Sequence, residues 1–200
     1  MVKSKIISYL KSFFRSFIWL FILLLALDII TKQLVLSANV SPGSTIYDWG
    51  IVRISFVLNN NAAFGIGFED PQISRIVYLV ASSIITIAIL IYLIVKRKET
   101  KLIVRASLVL VITGAIGNMI DRIFYGPDYA VVDWIDFYWF WPFNFNIADS
   151  CIVVGTFMLI IYVVIYEVKD MIKERKLNEE KTLSTREKER LAKQDEEKDK

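Results

Sequence analysis

Two aspartates near the start of the last apolar run, Asp133 and Asp149, are candidates for a pair of catalytic acids. Asp149 stands in "FNIADSCIVVG", at the mouth of an apolar run that continues to Tyr166, and Asp133 lies in the loop just before it. An ionisable residue at the edge of hydrocarbon is a functional candidate by default. Two carboxylates without adjacent cations, held close in a low-dielectric region, share one proton. The ionised member can then take a proton from water while the protonated member donates to a scissile carbonyl, which is aspartic protease chemistry.

The composition excludes most other hydrolase sites. The 200 residues include no histidine and a single cysteine, Cys151. An intrachain disulfide, a zinc site built from cysteine and histidine, and a histidine-based triad are therefore excluded. We expect neither a metal nor an organic cofactor. The net charge of +3 does not indicate a nucleic-acid partner.

Four apolar stretches position the two aspartates. They cover residues 17–36, 73–95, 102–122 and 147–166, close to the roughly 20 residues that a helix needs to cross the hydrocarbon. With 55% hydrophobic residues and a mean hydropathy of +0.48, the sequence predicts an all-α membrane protein with four transmembrane helices. The β-prone run "ISFVLNNNAAFGIGF" predicts a small extracytoplasmic β element between helices 1 and 2. The aromatic-rich second outer loop is expected at the outer interface.

Basic residues set the expected orientation, because they accumulate in cytoplasmic segments. Nine of them lie before the first span or around the turn between the second and third: Lys3, Lys5, Lys11, Arg15, Lys96, Arg97, Lys98, Lys101 and Arg105. We therefore expect both termini in the cytoplasm and the other two connections outside. No small-residue cleavage site directly follows the first apolar run, which predicts a retained helix rather than a signal peptide.

This topology brings the polar residues of the spans to one depth, at the outer ends of the helices. Asp28 and Lys32, spaced i and i+4, share one face of the first helix. The other members lie at the end of the third span, at the start of the fourth and just before it: Asn118, Asp121, Arg122, Asn146, Asp149 and Asp133. Spacing alone does not select Asp133 with Asp149 over pairs that use Asp121 or Asp136.

Each of these residues also has a simpler structural interpretation. Asp28 with Lys32, and Asp121 with Arg122, can be neutralising ion pairs. "GAIGN" can serve close helix packing, with its asparagine as an interhelical hydrogen-bonding residue. Asp149 can be a helix cap, and Asp133 a surface acid.

Three alternative functions remain at this stage. A small transporter would carry polar residues through the whole depth of the membrane, whereas the inner halves here are almost wholly aliphatic. A noncatalytic packing subunit leaves the convergence of Asp133 and Asn146 on Asp149 unexplained. A Ser/Lys peptidase would need a lysine that Asp28 already engages.

Five ordered motifs carry a family resemblance. They are "DIITK", "NNNAAFG", "GAIGNMIDR", "VVDWI" and "FNIADS", and they lie between Asp28 and Gly155. Together they resemble lipoprotein signal peptidase, also called signal peptidase II, a bacterial inner-membrane aspartic peptidase. The resemblance implies removal of signal peptides from prolipoproteins by cleavage just before a diacylglyceryl-modified cysteine. We expect the enzyme to act as a monomer in contact with membrane lipid.

Carried over by motif, the resemblance implies that Asp133 and Asp149 are the catalytic dyad. It implies supporting roles for Asp28, Lys32, Asn59, Asn118, Asp121, Arg122 and Asn146. It also implies a small outer β element and a short amphipathic helix that cover the substrate groove. The second motif usually reads Asn-x-Gly-Ala-Ala-Phe, and Asn61 stands here in place of the glycine. Asparagine tolerates positive φ better than most residues, so the turn is expected to survive.

The charged end of the chain is expected to lie outside the peptidase. Residues 167–200 carry eleven basic and eleven acidic residues and are nearly free of aromatic ones. We predict a four-helix transmembrane peptidase domain at residues 1–168. Residues 169–200 are predicted to be a charged cytoplasmic tail, solvated and partly helical or disordered.

Overall fold

The computed structural model of the protein describes residue 7 and residues 13–61, 67–124 and 130–198. Four helices in these ranges are long and apolar enough to cross a membrane. They are α1 (Ile18–Leu36), α2 (Pro71–Val95), α3 (Leu102–Phe124) and α4 (Ile147–Lys198). The four predicted spans are therefore confirmed, and their boundaries differ by no more than two residues except at the C-terminal end of α4, which continues into the charged region.

Helices α1 and α2 expose most of their apolar side chains on the surface of the protein. Along its length α1 buries Asp28, Lys32 and Val35, so two of its three buried residues are charged. The buried residues of α2 are Ser74 and Thr86. Such a distribution suits hydrocarbon surroundings, where apolar side chains need no burial and polar ones do. In contrast, α3 buries residues from Val104 to Arg122 and is the central helix.

Three strands form a small antiparallel sheet in the order β1 (Thr45–Asp48), β2 (Arg53–Asn59) and β3 (Val131–Asp136). The predicted β element between the first two helices is thus present as β1 and β2. The expected fold class omits β3, which joins the sheet from the loop before α4. The sequence does not indicate this strand because its pairing partner, β2, is separated from it by residues 60–130.

One face of the sheet packs on the end of α1. Val35 of α1, Phe56 of β2 and Val132 of β3 form a buried cluster, with partly buried aliphatic side chains and Trp134 around it. The register pairs Val57 with Asp133. Because successive strand residues point to opposite faces, burying Val132 against α1 turns the neighbouring Asp133 to the other face.

A glycine allows α3, α4 and α1 to meet closely at the level of Asp28. A Cβ on Gly117 would lie 2.7 Å from Asp28 Oδ2 and 2.9 Å from the Cβ of Ala148. The close-packing interpretation of "GAIGN" therefore holds for this glycine. As a result, the Ala148 N–H in the first turn of α4 reaches Asp28 Oδ1 at 2.8 Å.

The chain forms two compact units, Met1–Leu159 and Ile160–Lys200, and every predicted site residue belongs to the first. The boundary proposed between residues 168 and 169 stays a prediction. In the described residues between the four helices there is no short amphipathic helix of the kind that the resemblance implies. Residues 62–66 and 125–129, which include Pro127 of the second predicted outer loop, lie outside the description.

Candidate active site

The first turn of α4 holds Asp149 in a capping box. The side-chain Oδ1 of Asn146 accepts the Asp149 N–H at 2.8 Å, and Asp149 Oδ2 accepts the Asn146 N–H at 3.2 Å. This reciprocal pair satisfies two backbone donors that a helix start leaves open. The capping interpretation therefore accounts for one carboxylate oxygen. The other, Oδ1, accepts a hydrogen bond from Asn118 Nδ2 of α3 at 2.7 Å.

Strand β3 carries Asp133, which is 1% exposed. Both of its carboxylate oxygens accept hydrogen bonds from side-chain amides. Asn146 Nδ2 donates to Oδ1 at 2.8 Å, and Asn59 Nδ2, at the end of β2, donates to Oδ2 at 2.9 Å. The pairing of β2 with β3 brings Asn59 to this position, so the sheet and α4 together determine where the carboxylate lies.

Asn146 joins the two carboxylates into one network. Its Nδ2 donates to Asp133 while its Oδ1 accepts from the Asp149 backbone. Asn118 closes the network, because it donates to Asp149 and accepts from Asn146 Nδ2 at 3.2 Å. Within the described residues, no lysine or arginine nitrogen lies within 4.0 Å of the oxygens of Asp133 or Asp149. The two acids are thus hydrogen-bonded but lack a direct counter-ion.

A buried cluster of three charges lies beside this network. Lys32 Nζ contacts Asp28 Oδ2 at 2.7 Å and Asp121 Oδ2 at 2.8 Å, and all three side chains are 1% exposed. The same ammonium donates to Asn118 Oδ1 at 3.3 Å. The predicted pair of Asp28 and Lys32 is confirmed. The alternative interpretation, an ion pair of Asp121 with Arg122, does not hold, because Asp121 binds Lys32 from across the helix interface.

The two acids of the cluster also hold backbone groups next to the candidate dyad. Asp28 Oδ1 accepts the N–H of Ala148, which precedes Asp149. Asp121 Oδ2 accepts the N–H of Val132 at 3.2 Å, which precedes Asp133. Sequence motifs place these acids near the site but do not show that they act through the main chain.

Arg122 binds backbone carbonyls instead of a carboxylate. Its guanidinium donates to the carbonyl of Asn61 at 3.0 Å and to that of Asn118 at 3.4 Å, and it lies 5.0 Å from the ring centre of Tyr78. Asn61 is not among the described residues with positive φ, which outside glycine are Phe17 and Asn39. The tolerance of asparagine for positive φ is therefore not used at this position, and whether the turn survives stays a prediction, since residues 62–66 lie outside the description.

A cavity of about 770 Å³ opens onto the network. A site of this size accommodates a peptide segment rather than a small ion. Its polar end is formed by the candidate dyad with Asn59, Asn118 and Arg122. Its lining also includes a set of aromatic and apolar residues, called here the aromatic wall: Phe137, Phe140, Trp141, Phe143, Phe145, Val153 and Val154. Sequence reasoning missed this wall, although the density of aromatic residues in the loop was a signal for it.

The environment of Asp133 favours its protonated form. Burial raises the pKa of the Asp133 carboxyl to about 7, and the charge of Asp149 acts in the same direction. The hydrogen bonds from Asn59 and Asn146 and the charge of Lys32 oppose the shift only in part. Loss of hydration and a like charge nearby both disfavour a carboxylate, so two neighbouring acids of this kind hold one proton between them near neutral pH.

All nine predicted site residues lie in one connected set of contacts. Asp136, the other acid considered from spacing, does not join it, since its carboxylate accepts a hydrogen bond from the Ser55 hydroxyl at 3.3 Å. Asp121, the second alternative, is occupied by Lys32. Of the four candidate catalytic acids, Asp133 and Asp149 line the cavity, whereas Asp121 and Asp136 do not. This arrangement can activate a water molecule and donate a proton to a carbonyl oxygen.

Comparison with known proteins agrees with this chemistry. A family model described as signal peptidase (SPase) II matches residues 20–165. A lipoprotein signal peptidase of Clostridioides difficile is 37% identical over 153 residues, which cover 76% of this chain and 97% of the relative. One from Desulforapulum autotrophicum is 32% identical over 153 residues, with coverage of 74% and 91%.

A solved structure is also similar. It is a bacterial membrane enzyme determined by the in meso method at 2.3 Å resolution, with 28% sequence identity and a TM-score of 0.63. The similarity covers 74% of this chain and 86% of that one. The family match runs from α1 to Ile165 in α4 and includes α2, α3, the sheet and every residue of the network. The chain belongs to the signal peptidase II family and is a multi-pass membrane protease.

Proposed function

We propose that the protein removes signal peptides from prolipoproteins by hydrolysing the peptide bond just before a diacylglyceryl-modified cysteine, with Asp133 and Asp149 as the catalytic dyad. One observation carries the proposal. Buried Asp133 of β3 and half-buried Asp149 of α4 are joined through the side chain of Asn146 and line the same cavity, and no described lysine or arginine nitrogen lies within 4.0 Å of either carboxylate. No cofactor is needed for this reaction.

The mechanism follows from one proton shared by two carboxyl groups. The ionised member removes a proton from a water molecule, which attacks the scissile carbonyl carbon. The protonated member donates to the carbonyl oxygen as it becomes tetrahedral. Asn59, Asn118 and Asn146 hold the carboxyl groups in place by donating from their amides. The aromatic wall of the cavity supplies apolar surface for the substrate.

The proposed function is tested with purified protein and a diacylglyceryl-modified prolipoprotein. We expect a new product whose N-terminus is the lipid-modified cysteine, identified by mass spectrometry. The same prolipoprotein without the lipid serves as the control and is expected to remain uncut. Cleavage at another bond, or of both forms at equal rate, would contradict the proposed specificity.

The pH dependence of turnover should report the shared proton. Because the pKa of Asp133 is raised to about 7, the pair retains its proton below that pH and loses it as the pH rises further. We therefore expect kcat to fall above about pH 7. The measurement is kcat from pH 5.5 to 9, with Asp136→Asn as a control on the same strand that should keep the wild-type profile. A kcat that increases from pH 7 to 9 would contradict the shared proton.

We further propose that both termini are cytoplasmic and that the site faces the outer leaflet of the bacterial inner membrane, where an acylated cysteine presents its chains. Nine basic residues beside the predicted inner segments support this orientation. Single cysteines, introduced in a Cys151→Ser background, test it with a membrane-impermeant reagent. We expect labelling at Tyr47 and protection at Lys98 in intact cells. Labelling at Lys98 before lysis would reverse the orientation.

Residues 169–200 are proposed to be a cytoplasmic tail that is not required for cleavage. Its eleven basic and ten acidic residues nearly balance, and the dyad and its supporting residues all precede Ile160. Truncation after Lys176 is expected to leave kcat/KM within about threefold of the full chain, since charge-balanced segments of this composition carry little packing energy. A loss above tenfold, at equal amounts of folded enzyme, would assign the tail a role in activity.

A further inference from the structure

Arg122 is a buried cation of the site that forms no direct ion pair with a described carboxylate. It is 6% exposed, and no described carboxylate oxygen lies within 4.0 Å of its guanidinium. A buried cation of this kind is normally stabilised by an anion. Here it binds two backbone carbonyls, of which that of Asn61 is the closer, at 3.0 Å. Its position is therefore linked to the chain segment that follows β2.

That segment determines the orientation of Asn59. The Asn61 N–H donates to Asn59 Oδ1 at 2.9 Å, and Asn59 Nδ2 donates to Asp133 Oδ2 at 2.9 Å. With the amide oxygen occupied by a donor, the NH₂ group must point to the carboxylate. Arg122 and Asp133 are thus connected through the main chain of Asn61 and the side chain of Asn59.

The side chain of Asn61 is also confined. A Cβ on Gly67 would lie 3.0 Å from Asn61 Cβ and closer still to its carboxamide. The Asn61 side chain therefore packs directly against Gly67, which follows residues 62–66 in the sequence. This contact shows how the chain accommodates asparagine at a position where the family motif usually has glycine, while the main chain of residue 61 keeps its two hydrogen bonds.

We propose that Arg122 is a positioning residue for Asp133. Arg122 acts on this carboxylate through the Asn61 main chain and the Asn59 side chain. The inference rests on the proposed function of the dyad. It assigns Arg122 a task on the enzyme itself and not a contact with the substrate. Loss of the guanidinium releases the Asn61 carbonyl, frees Asn59 to rotate, and removes one donor from the catalytic carboxylate.

A double-mutant cycle tests the proposal with purified enzyme and lipid-modified prolipoprotein. Arg122→Ala and Asn59→Ala should each lower kcat by about 10- to 100-fold with KM within about threefold. The double variant should lie within about threefold of Asn59→Ala, because residues acting in series are not additive. Arg53→Ala, which removes an arginine from the hairpin, is the matched control and should cleave like wild type.

Two outcomes would overturn the inference. Independent losses that multiply in the double variant would show that Arg122 acts separately from Asn59, through its charge or on the substrate. A rise of KM above tenfold with unchanged kcat would show direct substrate binding. Cleavage by the wild type and by Asp149→Asn is measured in the same series. If the wild type does not cleave, or if Asp149→Asn cleaves equally well, the proposed function fails, whatever the effect of Arg122.

A second variant keeps the charge of Arg122 and breaks only the connection. Asn61→Pro lacks the N–H that holds Asn59, and we expect at least fivefold lower kcat than for Asn61→Ala, which retains it. The high-pH limb of the profile should also move upward, because the Asn59 hydrogen bond lowers the pKa of Asp133. The charged groups around Asp133, namely Lys32 of α1, Asp121 and Arg122 of α3 and Asp149 of α4, are the same in both variants. Equal kcat and equal profiles would refute the connection.

Discussion

Asp133→Asn is expected to lower kcat by at least about a thousandfold while the protein still folds and binds its substrate. The asparagine matches the shape of the aspartate but cannot share a proton with Asp149, and general acid–base catalysis alone contributes about 10²–10⁴. A modest loss of stability, about 1–3 kcal/mol, accompanies the change because both oxygens of Asp133 accept amide donors and the new NH₂ must face one of them. Turnover and thermal unfolding of the same preparation separate the two effects.

The double variant Asp133→Asn with Asp149→Asn should be little slower than either single variant, because residues that act as one unit are not additive. Asp136→Asn is the matched control. It lies three residues along the same strand, accepts from Ser55 outside the network, and should retain activity. A double variant far slower than both singles would mean that the two acids work independently.

Lys32→Met should have the largest effect on folding. The ammonium is the shared partner of two buried carboxylates, Asp28 at 2.7 Å and Asp121 at 2.8 Å. Removing one partner from a buried ion pair destabilises by about 3–5 kcal/mol, since the remaining charge has neither water nor a counter-ion. We expect a decrease of that order in the free energy of unfolding in detergent micelles, and a low yield of folded enzyme.

Two comparisons make this result specific. Lys96→Met removes an exposed lysine that is 2.8 Å from Glu99, and no measurable change is expected because water screens this pair. Asp28→Asn should be milder than Lys32→Met, since Asp121 still neutralises the lysine. If Lys32→Met unfolded like the wild type, the three-charge cluster would have no structural role.

The helices and the capping residues of the site could be predicted from the sequence. Apolar length locates the ends of the spans to within two residues, except at the C-terminal end of α4, because a helix that crosses the hydrocarbon must be apolar over its whole length. The ion pair of Asp28 and Lys32 is also predictable, because residues spaced i and i+4 lie side by side on one helix. Asn146 and Asp149 are likewise three residues apart in one helix turn.

Long-range contacts could not be predicted in this way. Strand β3 pairs with β2 although residues 60–130 separate the two strands, and nothing within "VVDWI" indicates its register. Asp121 binds Lys32 and not its neighbour Arg122, because adjacent helix positions point in different directions. Asn61 contacts Arg122 and Asn59 through its main-chain carbonyl and N–H groups. Such main-chain contacts cannot be predicted from the type of residue at a position.

Asp149→Asn is the most direct test, because Asp149 has a competing explanation as a capping residue. The asparagine keeps an oxygen for the Asn146 N–H, so the capping box is preserved while proton sharing is removed. The measurement is the rate at which purified Asp149→Asn cleaves diacylglyceryl-modified prolipoprotein, compared with wild type at equal folded concentration. A loss of at least about a thousandfold is predicted. Cleavage at a near wild-type rate would show that Asp149 only caps the helix, and would contradict the dyad.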